Sequence, residues 1–200
     1  MPGRGEGSPL SRPADTNAVP TSAPAASVRI LGVDPGLQIT GWAMLVLSDG
    51  QVGTLTGAIR LPAGADTPQR LRLIHAALLA VIDKHQPRAV AVERPFVKEN
   101  VRAAMALAYA QAAAFLAAAQ CDIPVHEYAP REIKMAVAGD GHAEKTVVAA
   151  ALAMELGLES APELLDESDA LAIAYSHHLL TQAPAESQPP TSQAAGSHVE

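Results

Sequence analysis

Three runs of apolar and β-branched residues open the foldable part of the chain. Val28-Arg29-Ile30-Leu31-Gly32-Val33 predicts a strand that stops at Asp34, because Pro35 cannot donate to a ladder and Gly36 permits a tight turn. Residues 39–47 and 52–61 predict two more strands, joined at Ser48-Asp49-Gly50, a hairpin turn signal. From Pro68 to His85 the apolar positions change to a helical spacing, Leu71, Ile74, Leu78, Leu79 and Ile82. Arg88 to Val92 predicts another strand, ending at Glu93 with Pro95 just beyond. A long alanine-rich helix is expected from about Lys98 to Gln120, then a short strand from Ile123 to Tyr128 and a brief helix after Pro130. Gly139-Asp140-Gly141 breaks the chain, a helix follows over Ala143 to Leu156 and stops at Gly157, and a terminal helix begins near Asp166.

The order βββαβαβ followed by helices predicts an α/β domain: a mixed five-stranded sheet with helices on both faces. Its central strands would be those ending in Asp34 and Glu93, which brings two acids to one sheet edge, the layout of the ribonuclease-H-like fold. The 200 residues leave room for one such domain, over 28–180. Residues 1–27 and 181–200, dominated by Pro, Ser, Ala, Gly and Gln without apolar periodicity, predict disordered tails. The first tail lacks the apolar segment of a secretory signal, so a cytoplasmic location is expected. Ala103 to Ala119 approaches bilayer-spanning length, but alanine transfers almost neutrally, so a packed helix and no membrane partner are expected. Cys121 is the single cysteine, which excludes an internal disulfide.

Chemistry is concentrated in four acids. Asp34 and Glu93 close apolar strands, whereas Asp166 and Asp169 are three apart at a helix start and therefore share a face, with Glu167 pointing elsewhere. One carboxylate at a strand end is ordinarily solvated or caps a helix. Several in this arrangement suit a hard divalent cation, and a two-metal site needs three or four carboxylates around ions about 3.5–4 Å apart. The chain offers no His/Cys spacing of a zinc site. Its net charge of −7 argues mildly against a nucleic-acid partner. That objection weakens because four of the acids are candidate metal ligands and two more lie in the C-terminal tail.

Six segments in order carry a family resemblance. They are Ile30-Leu31-Gly32-Val33-Asp34-Pro35-Gly36 with Thr40-Gly41, Arg70-Leu71-Arg72-Leu73-Ile74, Val92-Glu93-Arg94-Pro95-Phe96, Glu127 to Lys134, Gly139 to Lys145, and Asp166-Glu167-Ser168-Asp169-Ala170-Leu171-Ala172. Together they resemble the RuvC-type Holliday-junction resolvases, bacterial endonucleases that cut four-way DNA junctions. The resemblance spans about Ile30 to His178. It implies that Asp34, Glu93, Asp166 and Asp169 are catalytic and hold two Mg²⁺ per subunit, with Mn²⁺ as a substitute. It also implies a homodimer that makes paired symmetric nicks in recombination and repair, leaves 5′-phosphate and 3′-hydroxyl ends, and partners a branch-migration motor. By the same resemblance Phe96 stacks on a base near the junction centre, and Lys98, Asn100, Arg102, Lys134 and Lys145 contact DNA.

The chain departs from the family pattern in two places. Lys98-Glu99-Asn100 stands where relatives carry Ala-Lys-Asn, which shifts a positive charge by one position. Ala108-Tyr109-Ala110-Gln111-Ala112 replaces a Gly-Gln-Ala-Arg-Gly segment, so a stiffer helix and loss of any phosphate contact from that arginine are expected. Two other functions compete. A non-catalytic junction-binding protein would lack a carboxylate, and all four are present. An actin-like nucleotide-binding fold would share Asp34-Pro35-Gly36 and Thr40-Gly41 but needs a second such domain. His142, His177 and His178 receive no assignment.

Overall fold

The computed structural model describes residues 27–48, 50–95, 101–158 and 165–182. Most of both expected tails, and Asp49 of the hairpin turn, lie outside these residues. β1 (Val28–Asp34), β2 (Ile39–Ser48) and β3 (Gln51–Arg60) form an antiparallel meander. α1 (Thr67–His85) then crosses over to β4 (Ala89–Glu93), which lies parallel to β1 with Val33 opposite Val92. α2 (Val101–Ala119) leads to β5 (Val125–Tyr128), parallel to β4. The sheet order is β3-β2-β1-β4-β5. α3 (Pro130–Ala138), α4 (Lys145–Glu155) and α5 (Leu165–Gln182) complete the domain.

Alternation along the strands divides the core in two. Leu31, Val33, Trp42, Met44, Ile59, Val90 and Val92 face α1 and α2, whereas Ile30, Ala43, Leu45 and Ala91 face α3, α4 and α5. Alanine gives α2 a close seat: Ala110, Ala113, Ala114, Ala117 and Ala118 are buried against the sheet side. By length and composition alone this helix could cross a membrane. Here one side of it belongs to a protein core.

α5 crosses the other face over a row of small residues. Ala91, Gly32, Ala43 and Thr56 are paired neighbours across β4, β1, β2 and β3. Gly32 is the deepest point of this trough, since a Cβ there would meet the Ala170 carbonyl oxygen at 2.0 Å and the Ala174 nitrogen at 2.8 Å. The low row lets the helix backbone approach the sheet and carries its first turn to the edge where β1 and β4 end.

The element boundaries differ from expectation for local reasons. β5 starts at Val125 rather than Ile123, because Asp122 takes a left-handed φ of 54° and Pro124 has no N–H for the ladder. α4 starts at Lys145, two residues late, because Ala143 N–H closes a turn onto the Asp140 carbonyl. α5 runs to Gln182, two residues past the expected end of the domain at 180, and the Thr181 hydroxyl donates to the His177 carbonyl at 2.7 Å within that last turn.

Candidate active site

Asp34 and Glu93 are the last residues of β1 and β4, each one step beyond the paired Val33 and Val92, so the parallel register sets them side by side. Pro35 and the Gly36–Thr40 contacts, in which the Thr40 hydroxyl donates to the Gly36 carbonyl at 2.8 Å, turn the chain away immediately after Asp34. Asp169 comes from the first turn of α5. The three acids line one cleft of about 270 Å³, walled by Ile133, Lys134, Lys145 and Val148. Asp34 and Glu93 also line a smaller depression with Arg94, Pro95 and Leu107. Asp166 stands one residue into α5, and its side chain lies outside the description. Phe96, Lys98 and Asn100 fall in the 96–100 segment, also outside the described residues. Arg102 is exposed on the first turn of α2 and does not line the cleft.

Electrostatics mark the cleft as a place short of positive charge. Loss of water raises the Glu93 carboxyl above the usual glutamate range, and the negative charge of Asp169 raises it further, against smaller opposing effects of Lys145 and Lys134. The Lys145 ammonium is ion-paired with Asp169. Burial alone would lower Lys145, but the Asp169 bond and the charges of Asp169, Asp34 and Glu93 outweigh it, so its affinity for the proton is raised. Lys145 therefore stays cationic at neutral pH.

The donor set fits a hard divalent ion: half-buried carboxylate oxygens, with no thiolate or imidazole in the lining. As the side chains stand, no three acids among the described residues converge tightly enough to grip one ion. Lys145 takes the place of a cation at Asp169 instead. A divalent ion would relieve the Asp169 repulsion that adds to the effect of burial on Glu93.

Two residues of this site were not legible in the sequence. Gln111 is 7% exposed, and its amide donates to the Glu127 carboxylate at 2.8 Å and to the Glu93 carbonyl at 3.3 Å. The position expected to have lost a phosphate contact thus faces inward, where it ties α2 to the ends of β4 and β5. Glu167 points away from the cleft, as expected from its spacing, but into the protein and not to solvent, where it meets Thr56. His177, left unassigned, is buried beside His126 and Tyr128 near the end of β5 and does not line the cleft.

Comparison with known proteins agrees with this geometry. A family model described as crossover junction endodeoxyribonuclease RuvC matches residues 30–177. The chain is 43% identical to the RuvC of Dehalococcoides mccartyi over 153 residues, which cover 76% of this chain and 91% of that protein. It is also 43% identical to the RuvC of Nocardia farcinica over 152 residues, 75% of this chain and 80% of the relative. The fold superposes on Thermus thermophilus RuvC, solved in complex with a Holliday junction substrate, with a TM-score of 0.72 at 33% identity, covering 77% of this chain and 94% of that one. A yeast mitochondrial Holliday junction resolvase shares the fold alone, at 12% identity and a TM-score of 0.53. With nearly three quarters of its length matched by the family model and two strand-end carboxylates meeting a third from the last helix, the chain belongs to the RuvC family of crossover junction endodeoxyribonucleases.

Proposed function

We propose that this chain is a divalent-metal-dependent endonuclease that resolves four-way DNA junctions by paired nicks. The observation that carries the reading is the meeting of Asp34, Glu93 and Asp169 in one cleft beside Lys134 and Lys145. The reaction is phosphodiester hydrolysis: a water oxygen bonds to phosphorus, the bond to the 3′ oxygen breaks, and the products carry a 5′-phosphate and a 3′-hydroxyl. Asp34, Glu93 and Asp169, joined by Asp166 from the same helix turn, would hold two Mg²⁺ or Mn²⁺. Such ions supply Lewis acidity to the phosphate and lower the pKa of an attacking water.

The chain's own groups position the substrate. Lys134 and Lys145 put two ammonium charges on the cleft wall, where each acts as a point charge on a phosphate. Asp169 holds Lys145 over the acids before DNA arrives. Phe96, Lys98, Asn100 and Arg102 lie on the chain between β4 and the first turn of α2, downstream of the smaller depression, and are assigned to the junction. Phe96 would stack on a base, an interaction worth about 1–3 kcal/mol.

A homodimer suits a two-fold junction, because an isologous pair presents two clefts related by the symmetry of the opposed strands. An apolar stripe on α2 supports it: Val101, Met105, Tyr109 and Leu116 are exposed at helical spacing, and Tyr109 and Leu116 line a groove of about 380 Å³ shared with α1. A branch-migration motor as partner and a cytoplasmic location belong to the same reading.

Separating binding from cutting tests it. Asp34→Asn should bind a synthetic four-way junction within about threefold of the parent while cleavage falls by at least a thousandfold. Loss of binding and cutting together would make Asp34 a structural acid.

A further inference from the structure

Glu167 is a buried carboxylate that the proposed reaction does not use. It is 7% exposed, and the fold gives it the hydroxyl of Thr56, itself 1% exposed, which donates to Glu167 Oε2 at 2.8 Å. A carboxylate taken out of water costs stability unless it is paired, and an apolar side chain would serve packing alone at least as well. The bond spans 111 positions of sequence and joins β3, at one edge of the sheet, to the first turn of α5.

Its place on the helix gives it a mechanical consequence. Thr56 ends the row of small residues that runs through Ala43 to Gly32, and α5 lies along that row. Glu167 docks at Thr56, and Ala170, one turn later, docks at Gly32. Two contacts three residues apart fix both the height and the rotation of the helix, since successive side chains are separated by about 100°. Asp169 lies between these contacts and Asp166 immediately precedes them. The first turn of a helix lacks half of its backbone hydrogen bonds and frays unless something holds it.

We propose that Glu167 and Thr56 are positioning residues that set the rotation of the first turn of α5, so that Asp169 faces the cleft in the geometry a divalent cation needs. This rests on the reading of the cleft as a metal-dependent nuclease site. Metal ligands must be held to within about 0.5 Å by the groups behind them, and Glu167, at Thr56, lies about 160° round the helix from Asp169, which lines the cleft.

The test uses the full chain and four variants. Thr56→Val removes the donor and keeps the shape, Thr56→Ser restores the donor, Glu167→Met removes the acceptor from the other side, and Asp169→Asn removes a proposed ligand. Three quantities are read: the Mn²⁺ concentration for half-maximal junction cleavage, the rise in melting temperature on adding Mn²⁺ without DNA, and junction affinity in chelator. Thr56→Val, and Glu167→Met should Thr56→Val fail to fold, are expected to raise the Mn²⁺ half-point at least fivefold and to halve the Mn²⁺-induced rise in melting temperature. Junction affinity in chelator should stay within twofold, and Thr56→Ser should match the parent. A lower melting temperature with an unchanged Mn²⁺ half-point and Mn²⁺ response would overturn the positioning role and leave the cleft reading intact. A parent that shows no Mn²⁺ response and no cleavage, or an Asp169→Asn variant that matches the parent, would overturn both.

Discussion

Gly32 and Ala170 face each other with no room for a methyl group: a Cβ on Gly32 would lie 2.0 Å from the Ala170 carbonyl oxygen. Both atoms in that contact belong to rigid elements, so α5 as a whole must move if Gly32 is enlarged. Gly32→Ala is therefore expected to cost about 1–3 kcal/mol in urea unfolding, the usual range for overpacking. Because Asp169 rides on the same turn, cleavage should fall by more than tenfold under conditions where the variant is fully folded. A stability loss with unchanged cleavage would separate helix packing from the site.

Lys145 has two roles that one substitution pulls apart. It holds Asp169 in the absence of metal and offers a charge to phosphate in its presence. Lys145→Met should lower junction affinity, with a salt slope shallower by about 1, the effect of one lost phosphate contact. The same variant should show a larger Mn²⁺-induced rise in melting temperature than the parent, because no ammonium competes for Asp169. An unchanged salt slope would remove Lys145 from the DNA path.

The Gln111 amide bonds the Glu127 carboxylate and the Glu93 carbonyl. Gln111→Leu leaves both acceptors without that partner, at a cost of about 1–3 kcal/mol. Gln111→Arg should be tolerated, since a guanidinium at that position can pair with Glu127. Urea unfolding of the two variants checks both statements.

His177 makes stability pH-dependent. Burial, with the charges of His126, Arg88 and His178, lowers its pKa from 6.5 to about 4. Tyr128, whose own pKa is raised by burial and by Glu132, stays protonated, and its hydroxyl lies 2.6 Å from His177 Nδ1, a hydrogen bond whose direction follows the imidazole tautomer. Between pH 6.5 and 4 the unfolded chain takes up a proton at this histidine that the folded chain refuses. Stability should therefore fall as pH drops through that window, with the contribution fully present above pH 6.5. His177→Gln is expected to flatten the profile of melting temperature against pH over that range, whereas an unchanged slope would assign the acid sensitivity elsewhere.

Much of this site could be read from the chain because it depends on where apolar runs stop. Val33 and Val92 each precede an acid that is followed within two residues by proline, and a parallel pairing of those strands is enough to bring Asp34 and Glu93 together. Asp169, expected at the start of the last helix, meets them in the cleft. The Thr56–Glu167 and Gln111–Glu127 bonds could not be read, because each depends on which way a helix is rotated over the sheet. Spacing placed Glu167 away from Asp169 but could not say that β3 would cover that side. Nor does an alanine-rich helix declare which of its faces carries the buried glutamine. The Lys145–Asp169 pair likewise arises from the docking of α4 beside α5, two helices whose apolar patterns fix their faces but not their relative height.

The most direct measurement is the mapping of cut ends after the purified chain meets a labelled synthetic four-way junction and a matched linear duplex, each in Mg²⁺, Mn²⁺ or chelator. Paired nicks at symmetric positions, confined to the junction, dependent on metal and ending in 5′-phosphate and 3′-hydroxyl groups, are the expected result. Tight junction binding with no cut strand in either metal would contradict a catalytic role for Asp34, Glu93 and Asp169.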